Sequence, residues 1–250
     1  MSDDKPISNV LIVVAMEAEA APFVEHLGFS KQADFFPSQT PFVAFVGEHK
    51  GCNVTVVTNG KDSVYDTGVD NCGTVPAALV TFLALQKLAN VDLVVNAGTC
   101  GGFQRKGAAI GDVYLTSGVA NHDRRIPIPP FIPYGIGKLD SIGAAKLAEA
   151  NGFKMGVCTT GNSLDKTDED DKLMKDNDAS VKDMEAAAIA WSCSLNSVPY
   201  LGIKVVTDIV DGDRPTQEEF MENLSTAAKS LQDALPKVIE HVCGRSKSDL

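Results

Sequence analysis

Four short stretches of this sequence carry side chains able to do chemistry. Glu17 and Glu19 close the motif AMEAE at 15–19, just after an apolar run. NAGTCGG follows at 96–102, then Asp183-Met184-Glu185, then Asp208 in VTDIVDGD at 206–213. A carboxylate can take a proton from water. A carboxyl whose pKa is raised by desolvation can give one away. Glu19 is the candidate base and Asp208 the candidate acid. Glu185 stands before a run of small apolar residues, where burying a charge is costly unless it binds something polar. Its two oxygens suit a pair of adjacent sugar hydroxyls. The glycines of 96–102 let backbone approach a ligand closely. Each stretch also has a plainer use: Glu17 and Glu19 as helix-dipole partners, the glycines as a tight strand-to-helix turn, Glu185 as a solvated helix start, Asp208 as a local cap. Taken one at a time, the residues do not choose between these.

Other chemistries are excluded by spacing. The glycines lack the G-x-G-x-x-G order, and no Gly-Lys-Ser/Thr follows them, so neither a dinucleotide nor a nucleoside triphosphate is implied. The acids at 208–213 fail the EF-hand pattern. The four histidines are isolated and the six cysteines form no C-x-x-C pair, so no metal and no cofactor is expected. Several cysteines lie in apolar runs and read as small buried hydrophobes in a reducing compartment.

These groups need strands to carry them. Apolar, β-branched runs at 9–15, 91–96, 153–160 and 200–207 read as buried strands, with further strand segments at 42–46, 53–58 and 112–117. Helical spacing marks 17–27, 76–88, 140–151, 182–195 and 218–242. The alternation predicts an α/β fold with a central mixed β-sheet flanked by helices. Four strand ends, at 16–19, 96–102, 159–163 and 207–208, then carry polar or glycine-rich groups, which is where sites gather in such sheets. The irregular, proline-rich stretch 120–138 is too long for an idle connection. No repeat or linker divides the 250 residues, so one domain is expected, with flexible tails at 1–8 and 244–250.

Composition agrees. Apolar residues make up 44% and charged residues 22%, enough for a substantial core. The net charge of −11 repels phosphate backbones and anionic lipid, so nucleic acid and membrane partners are set aside. A short polar start without an apolar leader, and no run long enough to span a bilayer, point to the cytoplasm.

Together the motifs resemble those of the 5'-methylthioadenosine/S-adenosylhomocysteine nucleosidases, in the plant-type branch of the nucleoside phosphorylase and hydrolase superfamily. The resemblance rests on AMEAE, GTVPAAL at 73–79, NAGTCGGF at 96–103, IGDVYL at 110–115, HDRRIPIP at 122–129, TTGNSLD at 159–165, KDMEAAAIA at 182–190 and VTDIVDGDRPTQEEF at 206–220. It spans essentially the whole chain. It implies a cofactor-free hydrolase that cuts the bond between adenine and ribose. Glu19 would activate water and Asp208 would serve N7 of adenine. Thr99 would lie beside the ribose, with Met184 and Glu185 as ribose contacts. The backbone of Leu164 and Asp165 would meet the adenine edge, and Phe220 would wall the thioether end. A homodimer is implied, the HDRRIPIP segment reaching the partner's pocket. The sequence departs from the family where Asn162 replaces an aspartate, where Ala186 replaces a glycine, and across 64–72.

Two other readings stay open. A phosphorylase on the same fold needs arginines to hold phosphate, and only Arg105, Arg124, Arg125, Arg214 and Arg245 exist, none in the acidic or glycine-rich motifs before the last strand. A non-catalytic storage protein would have no need to keep Glu19, Glu185 and Asp208 together.

Overall fold

A computed structural model describes residues 5–250. Along the chain run β1 (Asn9–Val14), α1 (Glu17–Leu27), β2 (Ser30–Lys31), β3 (Val43–His49), β4 (Cys52–Thr58), α2 (Thr74–Lys87), β5 (Leu93–Gly102), β6 (Val113–Asn121), α3 (Ile132–Ile136), β7 (Leu139–Asp140), α4 (Ala145–Asn151), β8 (Lys154–Thr160), α5 (Asp168–Asp176), β9 (Ala179–Asp183), α6 (Ala186–Leu195), β10 (Tyr200–Ile209) and α7 (Thr216–Val242).

All ten strands join one mixed sheet, as the alternation predicts. The strands β1, β4, β5 and β10 run parallel, and β2 and β3 extend the β4 edge antiparallel. β10 also pairs antiparallel with β6, β6 and β9 flank β8 in parallel, and β9 returns antiparallel to β5. The five strands β5, β10, β6, β8 and β9 thus close on themselves. Helices cover both faces. In β1, Val10, Ile12 and Val14 pack into a core with α1, α4 and α7, while Leu11 and Val13 pack into a second core with α2 and α6. A strand buried on both faces must be apolar at every position, which is why β1 reads as an unbroken run.

Four local expectations are corrected. The strand expected to end at 96 runs on to Gly102, so the plainer alternative of a tight turn at 96–102 falls away. The segment 182–195 is helical only from Ala186, because Lys182 and Asp183 pair in β9. Helix α5 and strand β9, in the polar stretch 168–183, were not expected: α5 has only Leu173 and Met174 as apolar residues, and β9 is short. The ends also pack. Ile7 is buried and exchanges backbone hydrogen bonds with Gly244 and Arg245, and Leu250 is buried in the α7 core. Of the first expected tail, residues 1–4 lie outside the described residues.

The cysteines hold one further correction. Cys52 and Cys243, expected as separate thiols, form a disulfide with their Cα atoms 5.8 Å apart. Their separation of 191 residues hides the pairing from sequence spacing: the start of β4 meets the end of α7 only in the fold. No helix among the described residues is long and apolar enough to cross a membrane.

Candidate active site

The carboxyl ends of β1, β5, β9 and β10 and the start of α7 enclose a cavity of about 220 Å3. Of the residues singled out from sequence, Glu19, Thr99, Leu164, Met184, Glu185, Asp208 and Phe220 line it. Asp165 does not. It is exposed, and only its carbonyl turns toward the site's Lys182. Glu17 also falls outside, exposed and 3.4 Å from Lys61.

Glu19 is 3% exposed, and two elements hold it. It sits in the first turn of α1, where Oε2 accepts from the Met16 amide at 3.3 Å. Oε1 accepts from Thr99, from the amide at 2.6 Å and the hydroxyl at 2.7 Å. Burial pushes its pKa up, while Thr99 and the charge of Lys204 pull back toward the carboxylate. The plain helix-start role is therefore real, and it coexists with a carboxylate facing the cavity. Gly98 makes room: a Cβ there would stand 3.3 Å from Glu19 Oε1.

Asp208 lies inside β10 and does not follow its end. The register with β5 shifts between Val206 and Asp208, a bulge of the kind that re-aims a side chain. Its carboxyl accepts from the Thr207 hydroxyl at 2.7 Å. Burial raises its pKa, opposed by the Thr207 hydroxyl and by Lys182. Gly101 pairs with it across the sheet and leaves space for the carboxyl.

Glu185 stands just before α6, where its Oε1 accepts from the Gly73 amide at 2.8 Å. Burial, then the negative charge of Asp183, lift its pKa to about 7. Beneath the cavity Lys204 Nζ meets Asp183 Oδ2 at 2.8 Å, both side chains almost fully buried. Asp183 also accepts from the Thr160 hydroxyl and the Ala186 amide, so it caps α6. Burial pushes Asp183 up, but Lys204 and these donors bring it below the usual carboxylate range.

Lys182 and Lys204 were missed from sequence. The signal was present: a lone lysine within the apolar run YLGIKVVT, and another in ASVKD, must find partners if those runs are buried strands. Among the described residues no group of His, Cys, Asp or Glu is arranged to hold a metal. The three departures now have places. Asn162 Oδ1 accepts from the Thr74 amide and hydroxyl, both at 2.9 Å, at the start of α2. Its own amide nitrogen reaches Asp123 at 3.2 Å, where an aspartate would set two carboxylates together. Ala186 is buried off the cavity wall, and of the stretch 64–72 only Cys72 lines the cavity.

Comparison with known proteins matches residues 9–240 to the phosphorylase superfamily. A 5'-methylthioadenosine nucleosidase of Arabidopsis thaliana is 46% identical over 98% of this chain and 91% of its own length. The chain belongs to this nucleosidase family. A second Arabidopsis member, a 5'-methylthioadenosine/S-adenosylhomocysteine nucleosidase, is 43% identical over 99% of this chain and 97% of its own. The apo structure of the Arabidopsis 5'-methylthioadenosine nucleosidase superposes with a TM-score of 0.95 over 98% of this chain and 100% of that one. At 21% identity, a futalosine hydrolase of Helicobacter pylori shares the nucleosidase fold with a TM-score of 0.78, covering 94% of this chain and 98% of that one.

Proposed function

We infer that the chain hydrolyses the N-glycosidic bond of 5'-methylthioadenosine to adenine and 5-methylthioribose, and that S-adenosylhomocysteine is a second candidate substrate. The observation that carries this is one cavity holding two separately positioned carboxyl groups, Glu19 and Asp208, with Glu185 as a third. Breaking the bond builds positive charge on the sugar. Adenine leaves well only when a proton reaches its ring. Glu185 accepts from the ribose hydroxyls and fixes the sugar. Glu19, held by Thr99 and Met16, takes a proton from the attacking water. Asp208, whose pKa is raised by burial, donates to N7 as the bond lengthens. The base therefore lies at the Asp208 end.

Phosphorolysis is disfavoured by the cavity wall. Among the described residues no arginine lines it. Arg124 and Arg125, the nearest candidates by motif, are spent on the Tyr134 and Gly135 carbonyls and on Asp170. The lysines of the wall are engaged as well, Lys204 by Asp183 and Lys182 by three carbonyls. The deciding assay measures adenine release from both nucleosides with and without phosphate. Release from methylthioadenosine that ignores phosphate is the expected result. Strict phosphate dependence would establish the phosphorylase instead, and no release from either nucleoside would favour a storage role.

The same reading makes the protein a homodimer acting in methionine salvage. Val75, Leu79 and Phe82 of α2 and Trp191 and Leu195 of α6 expose large apolar surfaces around one groove with Tyr134. A patch of this kind marks a contact, and a second copy would cover it while its 122–134 segment approaches the thioether end. Light scattering of an active sample should give twice the chain mass; an active monomer would refute the dimer. The cytoplasm suits such an enzyme, although the Cys52–Cys243 bridge weighs against a reducing compartment.

A further inference from the structure

Lys182 is 5% exposed and lines the cavity, yet it forms no ion pair among the described residues. Its ammonium instead donates to three consecutive carbonyls, those of Ser163, Leu164 and Asp165, at 2.7, 2.7 and 2.8 Å. An ammonium has three hydrogens, and all three are used. The 163–165 segment is exposed and irregular, and among the described residues it makes no other hydrogen bond. On one side Asn162 is tied to Asp123 and Thr74; on the other, Thr167 caps α5. Between them, among the described residues, Lys182 alone hydrogen-bonds the loop to the sheet, and Leu164 is the part of the loop that walls the cavity.

We propose that Lys182 is a positioning residue for the purine end of the cavity, gathering the 163–165 carbonyls so that the loop is held against the leaving base. This rests on the nucleosidase reading, which puts the base beside Asp208. A buried cation kept away from a carboxylate partner is costly. Here the carbonyl dipoles offset that cost, and the charge remains free to act on the neighbouring acid. Asp208 is faced by Lys182 from β9, Glu219 from α7 and Cys100 from β5, with Thr207 beside it. Lys182 in turn feels Asp208, Asp165, Asp170 and Asp183, and it acts on His122. Its positive charge favours ionised Asp208. Removing that charge lets Asp208 keep its proton to higher pH, so the alkaline limb of the rate profile moves up. Arginine retains the charge, but its planar fork cannot meet three converging carbonyls.

The test uses titration calorimetry with adenine and with 5-methylthioribose, together with pH profiles of kcat/KM, on wild type, Lys182→Met and Lys182→Arg. Lys182→Met should weaken adenine about tenfold or more, as loss of charge-assisted hydrogen bonds does. It should leave methylthioribose nearly unchanged and displace the alkaline limb upward. Lys182→Arg should weaken adenine and leave the limb in place. Equal weakening of both ligands would mean a purely structural role, and unchanged adenine binding would overturn the proposal outright. If Lys182→Met does not fold, the arginine variant decides on the same two ligands. A wild type that releases no adenine from methylthioadenosine would instead refute the nucleosidase reading, and the two failures are distinct.

Discussion

Thr99 places its backbone amide and its hydroxyl on the same oxygen of Glu19. Strand β5 thereby fixes a residue of α1, and both donors favour the carboxylate that a base needs. Glu19→Gln should fold and bind ligand while turnover falls about a hundredfold to ten-thousandfold, the usual range for losing a general base. Thr99→Val removes one donor only. Glu19 then ionises at higher pH, and the acid limb of kcat/KM should move up. An acid limb that stays put, or near-normal turnover in folded Glu19→Gln, would remove Glu19 from the role.

Gly101 is needed for space. A Cβ there would stand 2.5 Å from Val210 Cγ2 and 2.7 Å from Asp208 Oδ2, too close to both. Its backbone is extended, so no conformational strain enters. Gly101→Ala should cost about 1–3 kcal/mol by overpacking and should slow turnover beyond that loss by displacing Asp208. Melting temperature and kcat measured together check this. A loss of stability with kcat intact would show that Asp208 tolerates the shift.

Much of this site was legible because its parts break the apolar pattern around them. Glu19, Glu185 and Asp208 stand out against runs of Val, Ile and Ala, and the runs themselves gave β1, β8 and most of β10. The end of β5 was set too early because extended glycines and turn glycines look alike without their neighbours. Gly98 and Gly101 serve side chains that are distant in sequence, Glu19 and Asp208. Lys182 and Lys204 were passed over for a similar reason: their partners are loop carbonyls and Asp183, and pairings of that kind have no period. Strand β9 is only five residues long, three of them polar, so periodicity had little to act on.

Glu185 makes stability depend on pH. Its ordinary value is 4.5 and its folded value about 7, raised by burial and then by Asp183. Below 4.5 both folded and unfolded chains hold the proton. Between 4.5 and 7 the unfolded chain releases it and the folded chain keeps it, so stability falls as pH rises, by a total on the order of 3 kcal/mol. Glu185→Gln keeps an acceptor for the Gly73 amide and removes the titration. Melts of the ligand-free protein should show wild type losing stability from pH 5 to pH 8 and the variant losing less. Parallel curves would mean that Glu185 titrates normally in the folded chain.

In the proposed mechanism Asp208 carries the hardest demand, since there it has to transfer a proton and not merely offer a hydrogen bond. Asparagine keeps nearly the same shape and still accepts from the Thr207 hydroxyl. It has no acidic proton to give. Asp208→Asn should therefore bind methylthioadenosine with little change, because contacts common to ground and transition state are kept, while the chemical step slows by orders of magnitude. If Asp208 only satisfies local backbone and hydroxyl groups, asparagine would serve as well and both rate and melting temperature would stay near wild type. Single-turnover rates at saturating methylthioadenosine, with melts alongside, separate the two. The burial that raises the Asp208 pKa also predicts that the wild-type rate falls on the alkaline side as the proton is lost. That limb should be absent from the residual rate of the asparagine variant, since the group that titrates is gone. An identical limb in both proteins would assign the proton donor to another residue.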